Sequence, residues 1–441
     1  MTQTTANSEQ AITPASRSAL LIVFLVVFID LLGFGIVLPL LPVLGEQYIG
    51  RVVSSGVGVG ATLGMLMASF SLMQFFFAPM WGRISDRHGR RPILLIGLLG
   101  SVFFYGLFGF AASLDPNYYS LIALILFFVA RIGAGISGAT IATAQAVIAD
   151  STPPEKRKHG MALIGAAFGI GFTFGPLIGY FGLVFFKENP EAVGYIAASI
   201  SLVAFLLGII LLPETRRFAE TSPLERKMVN VSALRYTLTS STLAPVVWVF
   251  FLATLGFAGF EVTLSLLLKN VLKITEMRDL FLYFAYIGFV LMLTQGYLYR
   301  KLAKKLSEAT FMTMGIVLMG TGVACLGVMT WMQSGDAEPF QSLSLMSATK
   351  ILLFAGLTCA VVGYAFLTPS AQALISRRTD ADHQGEVLGV NQSAASMARI
   401  LGPLTFLPLF GATDNHLLPY VFGAAVLFVM LPLMPRVARG A

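Results

Sequence analysis

Charge is scarce in this sequence: Asp, Glu, Lys and Arg supply 12% of its 441 residues, about half of the roughly 25% with which a soluble domain keeps its surface wet. That shortage excludes an ordinary water-exposed enzyme core. Cysteine is nearly absent. Cys325 and Cys359 lie inside apolar runs without metal-ligand spacing or a set of pairing partners, so they read as small packing residues. The four histidines, His88, His159, His383 and His416, all fall in loops or at the ends of apolar runs, which argues against a metal site. There is also no nucleophile elbow and no phosphate-cradling glycine loop. Enzyme chemistry and a bound cofactor are therefore not expected. The polar start, 1–18, is followed by an apolar run of about 24 residues, too long for a signal-peptide core of about 7–15, and it reads as a retained span.

What the chain has instead is apolar length. Hydrophobic residues make up 56% of it and the mean hydropathy is +0.80. A helix needs about 20 apolar residues to cross a bilayer, and such runs recur, with the charge confined to the short segments between them. Runs and breakers place spans near 20–44, 57–81, 93–112, 119–149, 160–186, 191–213, 243–272, 279–299, 309–333, 347–376, 386–411 and 417–437. The 43 glycines suit this setting, because small residues let helix backbones approach closely in lipid. The expected fold is an all-α polytopic membrane protein of twelve transmembrane helices, its bilayer the main partner.

The net charge is 29 − 22 = +7, and where the cations lie decides what it means. Arg83, Arg87, Arg90, Arg91, Lys156, Arg157, Lys158, Arg216, Arg217, Arg226, Lys227, Arg235, Arg300, Lys301, Lys304, Lys305, Arg377 and Arg378 all fall in alternate connections, with Arg17, Arg436 and Arg439 in the tails. The opposite connections hold only Arg51, Lys187, Lys269, Lys273, Arg278 and Lys350. Since Lys and Arg stay on the cytoplasmic side, both termini are expected there, and the basic excess implies no nucleic acid. The longest connection, 214–242, mixes both signs and contains Pro223. It reads as a linker between an N-terminal bundle, 19–213, and a C-terminal one, 243–437, after a tail at 1–18. The halves echo each other loosely: Gly160, Gly165 and Gly175-Pro176 recur as Gly385, Gly389 and Gly402-Pro403, and the basic segment 82–91 recurs at 296–305. Two parallel, pseudo-symmetric six-helix halves suit alternating access around a central site.

Four charged residues stand deep in apolar runs: Asp30, Arg131, Glu261 and Arg399. Each costs about 2.5–3.5 kcal/mol at a helix centre, where a Leu returns only about 0.3–0.6. Such residues face a bundle interior or a water cavity and mark ion or substrate paths. Asp30 is a candidate to load and release a proton, with a structural ion pair as the plainer reading. Thr254, Phe257, Glu261 and Ser265 share one helical face, so Glu261 either carries a proton, binds a cationic ligand, or is a hydrogen-bonded buried acid. Arg131 lies on a stripe with Gly135, Gly138 and Ala142; always charged, it can influence a carboxylate or simply pair with one. In the eleventh span Gly385, Gly389, Gln392, Ser396, Arg399 and Pro403 form one continuous stripe, equally readable as packing or as a ligand path. The fifth span carries rows of glycine, Gly165, Gly169, Gly171, Gly175 and Gly179, with Pro176 removing a backbone donor; these pack helices or form a pliable gate. Phe75, Phe76, Phe77, Tyr364 and Phe366 are read as meeting lipid or neighbouring helices rather than a ligand.

The segment Gly82-Arg83-Ile84-Ser85-Asp86-Arg87-His88-Gly89-Arg90-Arg91-Pro92 resembles the signature loop of the major facilitator superfamily. Asp30 with Gly33, Gly35, Pro39 and Pro42 resembles that family too, as do Gln74 and Pro79, and Arg131 with Gly135 and Gly138. So do Gly171 to Gly179 around Gly175-Pro176, Leu212-Pro213-Glu214-Thr215-Arg216, and Gln384-Gly385 through Arg399-Ile400-Leu401-Gly402-Pro403. Together they cover nearly the whole chain and look most like the twelve-helix drug:proton antiporter branch, tetracycline-efflux proteins above all. The resemblance implies a monomeric exporter in a bacterial cytoplasmic membrane, exchanging inward protons for an outward small amphipathic molecule and driven by the proton gradient alone. It also implies that Asp86 engages the end of the eleventh helix to latch the outward-facing state, with Gly82, Arg87, Gly89, Arg90 and Arg91 shaping the loop. Two departures stand out: Tyr180 replaces an expected glycine after Gly179, and Glu261 is absent from some exporters of this branch, which points away from tetracycline itself. Alternatives are a proton-coupled metabolite transporter or uptake symporter and, in another class, a membrane receptor without transport.

Overall fold

The computed structural model describes residues 24–25, 28–29, 31–33, 35–151, 157–215, 231–333, 347–380 and 383–438, with the side-chain surroundings at 142, 149, 157–166, 168, 231, 233, 384 and 385 also outside that set. Among the described residues every regular element is a helix, as lipid demands, because only a helix or a closed barrel satisfies its own backbone there. Ten helices are each long and apolar enough to span: α2 (Gly56–His88), α3 (Arg90–Ala112), α4 (Pro116–Ile148), α6 (Glu191–Leu211), α7 (Ala244–Val271), α8 (Met277–Leu302), α9 (Glu308–Met332), α10 (Ala348–Arg378), α11 (Glu386–Phe410) and α12 (Leu418–Ala438). An eleventh, α1, is the pair Leu31–Val37 and Leu41–Ile49, bent by 46° where Pro39 removes a backbone donor. The twelfth, α5 (Arg157–Phe185), has Gly169–Phe185 as its described apolar part. Four helices begin at side-chain caps, Ser55, Asp115, Ser307 and Ser347, each accepting a first-turn N–H that would otherwise lack an intrahelical partner.

Boundaries differ from the sequence expectation where polar residues were read as loop. The first span runs on to Ile49. Helix α2 continues through most of the signature segment and stops only at Gly89, whose φ of 104° a side chain would strain. Arg87 and His88 occupy its last turn, where cations suit the helix dipole. Likewise α8 continues to Leu302 through a π-helical segment, Thr294–Leu298, and the linker contains a short helix, Val231–Thr239. Linker residues 216–230 lie outside the described set.

The helices pack as two six-helix bundles. In the first, α3 lies against α6 and α4, and α2 against α1 and α4; in the second, α9 lies against α12 and α10, and α7 against α10, α11 and α12. Three pairs join the bundles: α1 with α7, α2 with α11, and α5 with α8. Advancing each helix by six positions maps the first pair onto itself and exchanges the other two, which is the pseudo-two-fold the halves should show.

These seams are tight at one end and open at the other. A Cβ added to Gly56, Gly60 or Gly64 of α2 would run into backbone at Gly411, just past α11, or at Leu407 or Pro403 of α11, the last at 2.7 Å. In the second seam, Gly179 of α5 abuts Phe281, and a Cβ on Gly288 of α8 would lie 2.6 Å from Thr173 Cα. Toward the end that carries the basic connections the same helices leave open space, where a Cβ at Gly169 of α5, Gly296 of α8 or Gly389 of α11 would meet nothing within 4 Å. A cleft between the bundles therefore opens at the basic end and is sealed at the other.

Candidate functional site

Two of the intramembrane charges meet this cleft from the second bundle. Helices α7 and α11 run parallel in close contact: a Cβ on Gly402 would sit 2.9 Å from Ala258 Cβ, and Gly259 is covered by the Phe406 ring. Glu261 lies about 60° around α7 from Ala258 in one sense, and Arg399 about 60° around α11 from Gly402 in the other, at 100° per residue. Opposite rotations on parallel neighbours bring both side chains to the same side of the contact. Arg399 also stands one turn before Pro403, on the α11 face that touches α2 at Pro403 and Leu407. Its exposure, like that of Gln392 and Gly389, is thus to the cleft, with Ser396 half-buried beside them. The stripe read from sequence is one feature with two fates: packed from Pro403 outward, open from Arg399 toward the basic end. The surroundings of Gly385 lie outside the described set.

Of the other residues on the Glu261 face, Phe257 is half-buried, while Ser265 and Thr254 are buried. Phe257, one turn away, stacks on Tyr364 of α10 with ring centroids 3.9 Å apart and planes at 7°. Ser265, one turn in the other direction, donates to the Pro39 carbonyl of α1 at 2.7 Å, and Thr254 satisfies itself on the Phe250 carbonyl. Glu261 is half-buried and Arg399 exposed, and neither makes an ion pair or hydrogen bond among the described residues. Tyr364 was read from sequence as a lipid or packing residue; its periodicity carried no sign of the stack.

Arg131 sits elsewhere. It is 4% exposed, its guanidinium 4.5 Å from the centre of the Phe70 ring and 3.5 Å from the Met67 carbonyl, so it joins α4 to α2. The glycines of α5 are close-approach positions: Gly171 and Gly175 fit against Leu31, Leu32 and Gly35 of α1, with Pro176 alongside, and Gly179 against α8. Asp30 lies outside the described residues.

At the mouth of the cleft the signature segment forms a cluster inside the first bundle. Arg90, its side chain 11% exposed, meets Asp86 at 2.5 Å and Asp150, just past α4, at 3.2 Å, and donates to Ser85 Oγ at 2.7 Å. Glu214, after α6, accepts from the Arg90 and Arg91 backbone N–H groups at 2.9 and 3.1 Å, a carboxylate at a helix N-terminus, where the dipole favours it. Arg91 in turn donates to the Ile209 carbonyl at 2.6 Å. Gly89 is needed twice, for its φ and because a Cβ there would strike the Glu214 carboxylate. Arg87 is exposed and Gly82 half-buried. In this structure the carboxylate of Asp86 is held by Arg90.

The family model described as Major Facilitator Superfamily matches residues 23–403. The chain belongs to the major facilitator superfamily. It is a multi-pass membrane transporter, not an enzyme. Among its relatives, the class E tetracycline resistance protein of Escherichia coli is 32% identical, over 88% of this chain and 87% of that protein. The crystal structure of the human organic anion transporter MFSD10 (TETRAN) aligns with a TM-score of 0.66 at 24% identity, covering 96% of this chain and 100% of that one. A D-xylose-proton symporter crystal structure aligns at 0.74 and 18%, covering 96% and 99%. These two likenesses speak for the major facilitator fold alone.

In this major facilitator chain the sealed end carries polar ties between the bundles that sequence reading missed. Glu46 of α1 accepts from Lys269 Nζ at 2.9 Å and Asn270 Nδ2 at 2.6 Å. Both donors sit on a π-helical turn, Leu267–Val271. Glu188 accepts from the Arg278 backbone N–H at 3.2 Å and lies 3.4 Å from its guanidinium. Those cations had been counted only as the few basic residues of that side; partners more than 80 residues away in sequence leave no local signal. Because Lys269 and Glu46 are 36% and 26% exposed, the tie is weak, about 0.2–1 kcal/mol as for other exposed pairs. A double-mutant cycle on Glu46→Gln and Lys269→Met, read as the fraction of molecules sealed at this end by spin-label distances, should give a coupling inside that range. A coupling several times larger would mean that the pair, not the glycine seam, holds this end shut.

Proposed function

We propose that the protein is a proton-driven exporter of small amphipathic compounds working by alternating access. The observation that carries the reading is a cleft sealed at one end and open at the basic end, with Glu261 and Arg399 on its wall and unpaired among the described residues. The positive-inside rule places the basic end and both termini in the cytoplasm, so the structure is the inward-facing state, from which an exporter loads. A relative named for tetracycline resistance in a bacterium is in keeping with export and with a bacterial membrane. Protonation of Asp30, with Glu261 as a second acid, is exclusive with substrate binding, so that one cargo leaves as protons enter. The bundles 19–213 and 243–437 rock as units about the linker 214–242, and in the outward-facing state Asp86 transfers from Arg90 to the end of α11. No cofactor or nucleic acid is required, and one copy suffices.

The test is Asp30→Asn in sealed proteoliposomes with an imposed pH gradient, scored on a panel of dyes, antibiotics and metabolites. Gradient-driven flux should be lost while the protein stays folded and monodisperse. Unchanged flux would sink the coupling assignment, and wild-type flux down the proton gradient, rather than against it, would turn the exporter into an uptake symporter.

A further inference from the structure

Opposite charges on touching helices inside a membrane protein ordinarily close on each other, because each is expensive alone and their attraction is strong in a poorly hydrated setting. Glu261 and Arg399 do not. Gly402 and Ala258 set the level at which α11 and α7 touch. Arg399 is three residues nearer the open end than Gly402, and Glu261 three residues nearer the sealed end than Ala258. Six residues at about 1.5 Å each separate their backbones by about 9 Å along the axis. Between those levels, one turn below Glu261, lies the Phe257–Tyr364 stack, both rings half-buried. From the mouth inward the wall therefore presents a cation, an aromatic step and a carboxylate.

From this order we infer that the cleft binds an amphoteric aromatic molecule whose amine and acid lie at opposite ends of its ring system, the amine on Glu261 and the acid on Arg399. The inference rests on the exporter reading and names the substrate class of that same cleft. An ammonium beside the aromatic step gains cation–π attraction as well as its counter-ion, and the guanidinium fork suits a carboxylate or enolate. A ligand with both charges on one carbon cannot span the gap, and a purely cationic or anionic one leaves a wall charge uncompensated. Protonation of Glu261 removes the amine's partner, so a proton and this cargo compete for one carboxylate.

Saturation-transfer NMR on the protein in lipid nanodiscs, with no gradient, tests the class separately from coupling. The probes are 4-(aminomethyl)benzoate, benzylamine, benzoate and phenylalanine, the last with its charges adjacent. Wild type should bind 4-(aminomethyl)benzoate at least about tenfold more tightly than the other three, a factor in keeping with one additional charge-assisted contact. Glu261→Gln should bring it down to the level of benzoate, and Arg399→Gln to that of benzylamine. The wild-type ordering decides the matter even where a variant fails to fold. Equal binding across the probes, no binding of any, or an ordering untouched by both variants overturns the inference. Loss of flux in Asp30→Asn bears on coupling and leaves this ordering unaffected.

Discussion

Replacing Gly60 by leucine should drive the protein out of the sealed-end-shut state and all but stop transport. A Cβ at this position would overlap the Leu407 carbonyl oxygen and lie 2.7 Å from its carbon and 2.9 Å from Pro408 Cα. These are backbone atoms of α11, which cannot step aside as a side chain does, and Gly56 and Gly64 are hemmed in by the same helix one turn to either side. Overpacking a tight interior costs about 1–3 kcal/mol even where neighbours relax. Here the cost falls on one conformation only, so the equilibrium moves by about tenfold to a hundredfold at about 1.4 kcal/mol per decade. Spin labels on the exposed residues Arg51 and Asp414, one from each bundle, should report a longer distance in Gly60→Leu and a smaller lengthening in Gly60→Ala. Gly296→Ala, where nothing lies within 4 Å, should leave the distance as it is. A wild-type distance in Gly60→Leu would mean that the α2–α11 seam does not govern this end.

Arg90→Ala should be the most damaging change at the other end. The guanidinium stands between Asp86 and Asp150 and holds Ser85 as well, so it ties the end of α2 and the start of α3 to the end of α4. Removing one member of a buried pair costs about 3–5 kcal/mol. Asp86 and Asp150 are 44% and 32% exposed, so water takes up part of that loss and about 1–3 kcal/mol is the fairer expectation. Two carboxylates then repel where they had shared a cation. Thermal unfolding in detergent should fall by several degrees and flux should drop to a small residue, with Arg90→Lys intermediate because an ammonium cannot fork between two acids. An unfolding temperature and flux like wild type would show that the cluster is ornamental to both stability and transport.

The candidate site was legible in unequal parts. Glu261 and Arg399 announced themselves because a charge inside an apolar run has no cheap local explanation, and the same rule singled out Arg131, which the fold then used to join α4 to α2. Helical spacing placed Ser265 and Phe257 on the Glu261 face; in the structure Ser265 is buried against α1 and Phe257 stacks on Tyr364 of α10. Tyr364 gave no such signal, since an aromatic residue in a membrane helix is unremarkable until its neighbour is known. The signature segment was recognised, but its secondary structure was not: polar residues suggested a loop, whereas the chain stays helical to His88 and turns only where Gly89 adopts a positive φ. Glu214 was noticed as part of a motif, yet its seat on the first N–H groups of α3 spans more than 120 positions.

By itself the sequence determined that the protein lives in a bilayer, that it crosses it twelve times in two related halves, and which intramembrane charges require an account. Those are consequences of hydropathy, length and local periodicity, which act within one helix at a time. Only the tertiary structure decided which end of the cleft is shut, that Asp86 rests on Arg90, that Arg131 is buried against α2, and that Glu261 and Arg399 flank an aromatic step without touching. Each of these depends on the level and rotation at which separate helices meet. That is set by contacts such as Gly60 against Leu407 and Gly402 against Ala258, whose partners are distant in the chain and invisible to any local pattern.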